Sequence, residues 1–323
     1  MTAIPAELQE RPGIMNATDL SNRREFLSRL AWTGAMIAAR PALVSAAPAQ
    51  PTPAWPVGVF SKVYQELKLD YEQSAELTEA AGLDGIDCPV RPGGQVLPER
   101  VEEDLPRYAA ALRRRERRVL LLTTAIVGAT SPHAEKILRT ARQLGVKYYR
   151  TGYWSYDKKT APPVTLANIK AQLKDLAAMN RELGVCAVLQ NHAGAGMVGA
   201  KLLDYWEVVR DFDPNQIAVA YDIGHALNEI PDTWRDVFET MKSHVKVAYV
   251  KDDKRGSGFS AFGQGDIGQT DFFQRLRKIG YDAPLSFHIE YDWAGPAKDH
   301  SKAALLQAMR RDLRTLQGWL RAP

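Results

Sequence analysis

Between residues 186 and 251 the chain reads Cys186-Ala-Val-Leu-Gln190, Ile217-Ala-Val-Ala-Tyr-Asp222 and Val245-Lys-Val-Ala-Tyr-Val-Lys251, separated by amphipathic segments over 200–210 and 233–243. The three runs are of strand length, rich in Val, Ile and Ala, and end on polar residues. The segments between them are long enough for helices. Working outward, the same alternation places strands at Val57–Phe60, 85–88, 119–123 and 147–150 upstream and at 285–290 downstream. Helical patterns lie at Tyr71–Ala81, 101–114, 133–144, 166–183, 270–279 and 302–320. Eight strand–helix units in roughly 270 residues predict one α/β domain, a single (β/α)8 barrel. No Gly-rich phosphate fingerprint follows the first strand, which argues against a doubly wound open sheet.

Composition narrows the function classes. The 323 residues are 45% hydrophobic and 25% charged, a globular composition. The net charge of +4 is 42 basic minus 38 acidic residues. It is spread along the chain rather than clustered on one face, so it excludes a nucleic-acid footprint. Cys88 and Cys186 fall on the second and fifth strands, on opposite sides of a barrel, and read as buried thiols rather than a disulfide.

At the N-terminus, Ser21-Asn-Arg-Arg-Glu-Phe-Leu27 resembles the twin-arginine export signal. An apolar stretch over 30–44, interrupted by Arg40, and the small residues of Val44-Ser-Ala46 follow in the order a cleaved signal requires. The stretch is too short and interrupted to anchor the chain in a bilayer. The expected organisation is a signal peptide over 1–46, a Pro-rich linker over 47–54 and the barrel over 55–323, with export to the periplasm.

Barrel chemistry sits at the C-terminal ends of the strands, and the unusual residues gather there. Lys62 follows strand one, Arg91 strand two, and Arg150 ends strand four. Gln190 and His192 end strand five, Asp222 and His225 strand six, Tyr249 and Lys251 strand seven, and His288 and Glu290 strand eight. The pairs 190/192, 249/251 and 288/290 each point one way, because strand side chains alternate. Each residue also has a plain structural reading. Asp222 is a natural helix N-cap with His225 packed behind it, Glu290 an ion-pair partner of Arg150 or Lys251, and His288 a hydrogen-bonded core histidine. Tyr153 and Trp154 offer rings for a sugar, although at least one is expected to pack under a loop. Gly263-Gln-Gly-Asp266 suits a substrate-covering lid, but on its residues alone reads as a flexible turn.

Taken together, Gln190-Asn-His-Ala-Gly, Asp222-Ile-Gly-His, Val250-Lys-Asp252, Gly263-Gln-Gly-Asp and His288-Ile-Glu290 resemble the xylose-isomerase-like barrel superfamily of sugar isomerases, epimerases, inosose dehydratases and apurinic-site endonucleases. The resemblance implies one divalent ion (Mn, Mg, Co or Zn) held by a strand-five Glu, a strand-six Asp, a strand-seven His and a strand-eight Glu. Asp222 and Glu290 keep two of these places. Gln190 replaces the Glu and Tyr249 the His. Gln190 can coordinate through its carbonyl oxygen, but it cannot take a proton. The implied metal set is Asp222, Glu290 and Gln190, with His192, His225 and His288 as other ligands. In the alternative without metal, Lys62, Arg91, Arg150 and Lys251 steady the anion.

The implied catalytic residues are Glu290, His192, His225 and Lys251. The implied substrate contacts are Lys62, Arg91, Arg150, Trp154, Tyr249 and His288. The expected activity is that of an exported sugar isomerase or epimerase acting on a non-phosphorylated keto-sugar or cyclitol by metal-assisted proton abstraction next to a carbonyl. A lyase or dehydratase eliminating from a keto-glycoside or inosose, and a non-catalytic sugar-binding barrel, are the alternatives. An endonuclease is disfavoured, since few of its many zinc-ligand positions carry His or an acid here.

Overall fold

A computed structural model describes residues 55–322. The expected signal peptide and the whole of the linker lie outside them. The order of elements is β1 (Val57–Phe60), α1 (Lys62–Glu66), α2 (Tyr71–Ala81), β2 (Gly85–Val90), α3 (Val101–Arg113), β3 (Arg118–Thr124), α4 (Ala134–Gln143), β4 (Tyr148–Arg150), α5 (Pro162–Leu183), β5 (Cys186–Gln190), α6 (Leu203–Val209), β6 (Ile217–Asp222), α7 (Ile223–Glu229), α8 (Trp234–Met241), β7 (Val245–Val250), β8 (Asp253–Lys254), β9 (Gly258–Phe259), α9 (Phe272–Lys278), β10 (Leu285–Phe287) and α10 (Lys302–Arg321).

Eight parallel strands close in the order β1-β10-β7-β6-β5-β4-β3-β2, while β8 and β9 form a separate antiparallel hairpin. The predicted barrel is therefore the observed one. Its helices bury one stripe each against the strands. In α10 the buried Leu305, Met309, Leu313, Leu316 and Leu320 recur at steps of three and four, the period of one helix face. Burying such a side chain contributes about 2 kcal/mol. Among the described residues no helix is long and apolar enough to cross a membrane.

Boundaries moved where local chemistry overrode the pattern. Helix α5 begins four residues earlier than the predicted 166, since Pro162 and Pro163 occupy its first turn, where the missing N–H costs nothing. Helix α6 is shorter than 200–210 because Gly199 and Leu202 both take positive φ. The predicted strand over 285–290 ends at Phe287. The His288 N–H still donates to the Val250 carbonyl, but beyond it the chain leaves the ladder and carries Glu290 toward Lys251. Register places the strand ends level: Asp222 pairs with Tyr249, and Tyr249 with Ser286.

Candidate active site

Asp222 and the residues around it form the most heavily bonded part of the strand ends. Its carboxylate is fully buried, and one oxygen caps α7 by accepting the His225 backbone N–H at 3.1 Å. The other accepts from the Gln190 side-chain amide at 2.7 Å and lies 3.1 Å from the Lys251 ammonium. Asn191 fixes the backbone of Asp222 in both directions, accepting its N–H and donating to its carbonyl. The sequence Asp-Ile-Gly-His needs its glycine. A Cβ on Gly224 would lie 2.5 Å from the Lys251 carbonyl oxygen, so the tight approach of α7 to β7 excludes any side chain there.

Lys251 bridges two carboxylates. Its Nζ is also 3.1 Å from Glu290 Oε2, and its side chain is only 2% exposed. A lysine so buried stays charged only if it is paired. Burial pulls its pKa down, yet Asp222 and then Glu290 outweigh burial and raise it. Burial likewise opposes ionisation of Asp222, but Lys251 and His225 hold it below the ordinary carboxylate range. Glu290 is held far below that range: burial works against it, and the neighbouring His288 and Lys251 prevail. All three groups are therefore ionised around neutrality.

Beneath this cluster runs a polar chain that spacing alone did not reveal. Asp87 on β2 is fully buried and accepts from Thr123 at 2.8 Å and from the Ser286 hydroxyl at 2.7 Å. With its proton committed to Asp87, Ser286 accepts from His288 Nε2 at 3.0 Å. The opposite ring nitrogen of His288 then faces Glu290 Oε1 at 3.6 Å. Phe60 stacks on this imidazole and Tyr249 meets it edge-on. His288 is thus a positioned residue rather than plain core packing. Burial raises the pKa of Asp87. Only its place in β2, four residues before Arg91, offered any signal of it.

The other wall is cationic. Phe60, Lys62, Arg91, Thr123, Arg150, Tyr153, Gln190, His192, Lys251, His288 and Glu290 line a cavity of about 200 Å³ over these groups. An adjoining space of about 280 Å³ is bounded by Phe60, Lys62, Phe259, Glu290 and Trp293 among others. Arg150 lies over the Tyr153 ring at 4.4 Å and is 3% exposed. One of its terminal nitrogens has no partner, and the other makes a long 3.4 Å bond to the Thr124 carbonyl. Tyr153 donates to Gln190 at 2.7 Å. Because the Asp222 carboxylate accepts only, the Gln190 NH2 must face Asp222, and its carbonyl is thereby turned to Tyr153.

His192 Nδ1 lies 3.0 Å from the carbonyl of Ala193. That carbonyl also accepts only, so Nδ1 carries the proton and Nε2 keeps its lone pair when the ring is neutral. His225 sits behind it, with ring centroids 4.3 Å apart. Its nitrogens have no hydrogen-bond partner, and burial lowers its pKa to about 4. His225 does not line the cavity. Trp154 does not line it either: its indole donates to Gln172 on α5. Of the two rings expected to offer themselves to a sugar, Tyr153 lines the cavity, with Arg150 over its ring, and Trp154 does not.

The Gly263–Asp266 segment is neither a free lid nor a flexible turn. Asp252, buried, accepts the backbone N–H groups of Gly263, Gly265 and Ile267. A Cβ on Gly265 would lie 2.4 Å from Asp252 Oδ1. The β8–β9 hairpin comes closer to the cluster: the centroid of its Phe259 ring lies 5.2 Å from the Lys251 ammonium in a cation–π contact. A larger cleft of about 540 Å³ lies between α4 and α5, away from the strand ends, edged by the exposed Arg139–Glu135 and Arg139–Glu182 ion pairs.

A divalent ion at Asp222, Glu290 and Gln190 does not fit this arrangement. The Lys251 ammonium stands between the two carboxylates at 3.1 Å from each, and Gln190 turns a donor toward Asp222. Among the described residues no group of three or more His, Cys, Asp or Glu side chains converges as a metal site. The two carboxylates converge on the Lys251 ammonium, but they do not share the cavity: Glu290 lines it, whereas Asp222 is fully buried behind Lys251 and Gln190.

The family profile described as Xylose isomerase-like TIM barrel matches residues 75–317, and the chain belongs to that family. No curated protein matches it in sequence. Its fold is similar to that of the IolI protein solved with a bound zinc atom, at 18% identity and a TM-score of 0.63, covering 81% of this chain and 97% of that one. It is also similar to D-psicose 3-epimerase from Clostridium cellulolyticum H10, solved with D-tagatose, at 14% identity and a TM-score of 0.60, covering 79% and 95%. A third is the 3-keto-D-glucoside 4-epimerase YcjR from E. coli, at 14% identity and a TM-score of 0.54, covering 74% and 93%. At these identities the likeness is one of fold.

Proposed function

We propose that this chain is a sugar isomerase- or epimerase-like enzyme that removes the proton next to the carbonyl of a keto-sugar or cyclitol, with Lys251 as its resident cation. The observation that carries the reading is the Lys251 ammonium, held 3.1 Å from both Asp222 and Glu290 and facing the cavity. An ammonium has three N–H donors; Asp222 and Glu290 fix two of them, and the third, preorganised toward the cavity, donates to an enediolate oxygen as charge develops there, with little reorganisation. His192 is the base: it lines the cavity, and its Nε2 lone pair is free. Glu290 is a weak base at neutral pH, because Lys251 and His288 favour its ionised form. Its role is to hold Lys251 in place.

The neutral Gln190 leaves no second carboxylate base beside Asp222 at the end of β5. One base supports isomerisation within a single face, or elimination where a leaving group stands on the β-carbon. The lyase reading therefore remains beside the isomerase. The twin-arginine-like segment at Arg23-Arg24 supports export and a substrate without phosphate.

The test is solvent deuterium exchange, followed by NMR, on the chelator-treated full chain with a panel of keto-sugars and inososes. Exchange at the carbon beside the carbonyl is expected, abolished in Lys251→Met and at least a hundredfold slower in His192→Gln. Exchange with release of an aglycone selects the lyase. No exchange with any substrate, before or after adding Mn, Co or Zn, selects the non-catalytic binding barrel. Exchange that appears only after a metal is added overturns the lysine reading.

A further inference from the structure

We infer that the sugar bound here carries a carboxylate, received by Arg150 and Arg91 on the β2–β4 side of the cavity. The inference rests on the sugar-site reading above and names its substrate class. Two cationic groupings stand in one pocket, and they differ in how they are paired. Lys251 has two carboxylates of its own. Neither Arg150 nor Arg91 has an ion-pair partner among the described residues, although exposed arginines of the surface helices, such as Arg100 and Arg139, pair freely.

Arg150 is the sharper case. It is almost wholly buried, yet one terminal nitrogen makes no hydrogen bond. A buried charge left in that state is costly unless a ligand completes it. Both guanidiniums lie against aromatic rings, Arg150 over Tyr153 and Arg91 over Phe60 at 5.9 Å. A guanidinium lying on a ring face keeps its in-plane N–H edges for a planar, two-oxygen acceptor. Lys62 stands at the rim, half-exposed, with only a 4.0 Å contact to Glu66. The nearest buried acid on that side, Asp87, is already engaged by Thr123 and Ser286. The cavity of about 200 Å³ has room for one monosaccharide-sized acid, its carboxylate on the arginines and its carbonyl toward Lys251.

Direct binding separates this inference from the chemistry, because it needs no turnover. Calorimetric titration of the full chain with D-glucuronate and D-galacturonate, against D-glucose and D-galactose, is expected to give at least tenfold tighter binding of the acids. In Arg150→Met and in Arg91→Met the acid-to-neutral affinity ratio should collapse toward one. In Arg150→Lys it should recover only in part, since a point charge lacks the fork. Arg91 is half-exposed, so its variant keeps the test open if Arg150→Met fails to fold.

Equal affinity for acids and neutral sugars overturns the inference. So does a loss in Arg150→Met that is the same for both, which would assign the guanidinium to the common sugar frame. Glucose 6-phosphate or inorganic phosphate binding tighter than the uronates overturns it in favour of a phosphate site. Selective uronate binding without deuterium exchange in any acidic or neutral keto-sugar leaves the inference standing and removes the isomerase reading. Exchange confined to neutral keto-sugars does the reverse.

Discussion

The two walls of the strand-end cavity handle buried charge in opposite ways. On the β5–β6–β7–β10 side, Gln190, Asp222, Lys251 and Glu290 satisfy one another at 2.7–3.1 Å. On the β2–β4 side, Arg91 and Arg150 rest on aromatic rings and make no ion pair among the described residues; the buried Asp87 near them is hydrogen-bonded to Thr123 and Ser286 instead. A self-paired cluster is fixed in advance of any ligand, and so suits a charge that must be ready when an enediolate forms. An unanswered guanidinium suits a charge that the ligand itself brings. The comparison separates machinery that is complete within the chain from machinery that a ligand completes.

The largest expected effect breaks the paired wall. Lys251→Met leaves Asp222 and Glu290 facing each other without their cation, and should cost about 3–5 kcal/mol in urea or thermal unfolding. The same variant removes the ammonium that excludes a divalent ion. Mn²⁺ should therefore raise its Tm more than it raises that of the parent; an equal rise in both would show that Lys251 does not block the site.

Acid sharpens the comparison from behind that wall. The unfolded chain takes a proton on His225 near pH 6.5, whereas the folded protein refuses it until about pH 4, because burial disfavours the imidazolium. The unfolded state binds more protons throughout that window, so stability falls as the pH drops from about 6.5 to 4 and this contribution levels off below it. The loss amounts to about 3 kcal/mol. His225→Phe should flatten that part of the profile in pH-dependent urea titrations; an unchanged slope would assign the acid sensitivity elsewhere.

Gly265→Ala drives a methyl into Asp252, which pins the adjoining loop. It should cost about 2 kcal/mol and open residues 255–266 to limited proteolysis. If cleavage is unchanged, the loop does not depend on the Asp252 anchor.

The unpaired wall should respond far less. Arg150→Met removes a buried charge that has no partner, and should shift stability by less than about 1 kcal/mol, either way. A loss of several kcal/mol would make Arg150 a structural residue and abolish the contrast. Least of all, Trp154→Phe forfeits only the 3.3 Å bond to Gln172. It should change stability by under about 1 kcal/mol and leave sugar affinity, read by calorimetry, unaltered.

Much of this site was readable from strand periodicity. Gln190, Asp222, Lys251, His288 and Glu290 end apolar runs, and a barrel gathers such ends over one pocket. The i, i+2 rule put 190 with 192 and 288 with 290, and both members of each pair line the cavity; of the third pair Lys251 lines it, while Tyr249 is buried against His288. Trp154 and Tyr153 mark where that logic stops: neighbouring residues on an irregular loop have no period, and local hydrogen bonds sent one ring to Gln172 and the other to Gln190. Asp87 escaped notice because an acid inside a strand gives no signal until Thr123 and Ser286, from two other strands, are seen to converge on it.

The order of residues along the chain determined that this protein is a closed eight-stranded α/β barrel and which side chains stand at its strand ends. Those follow from the alternation of apolar and polar residues, a property of each segment by itself. Only the tertiary structure decided that a lysine rather than an open gap lies between Asp222 and Glu290, and that two arginines across the cavity make no ion pair among the described residues. Those facts depend on distances between groups far apart in sequence. Such distances are fixed by how the strands are registered and closed and by the rotamers that packing allows.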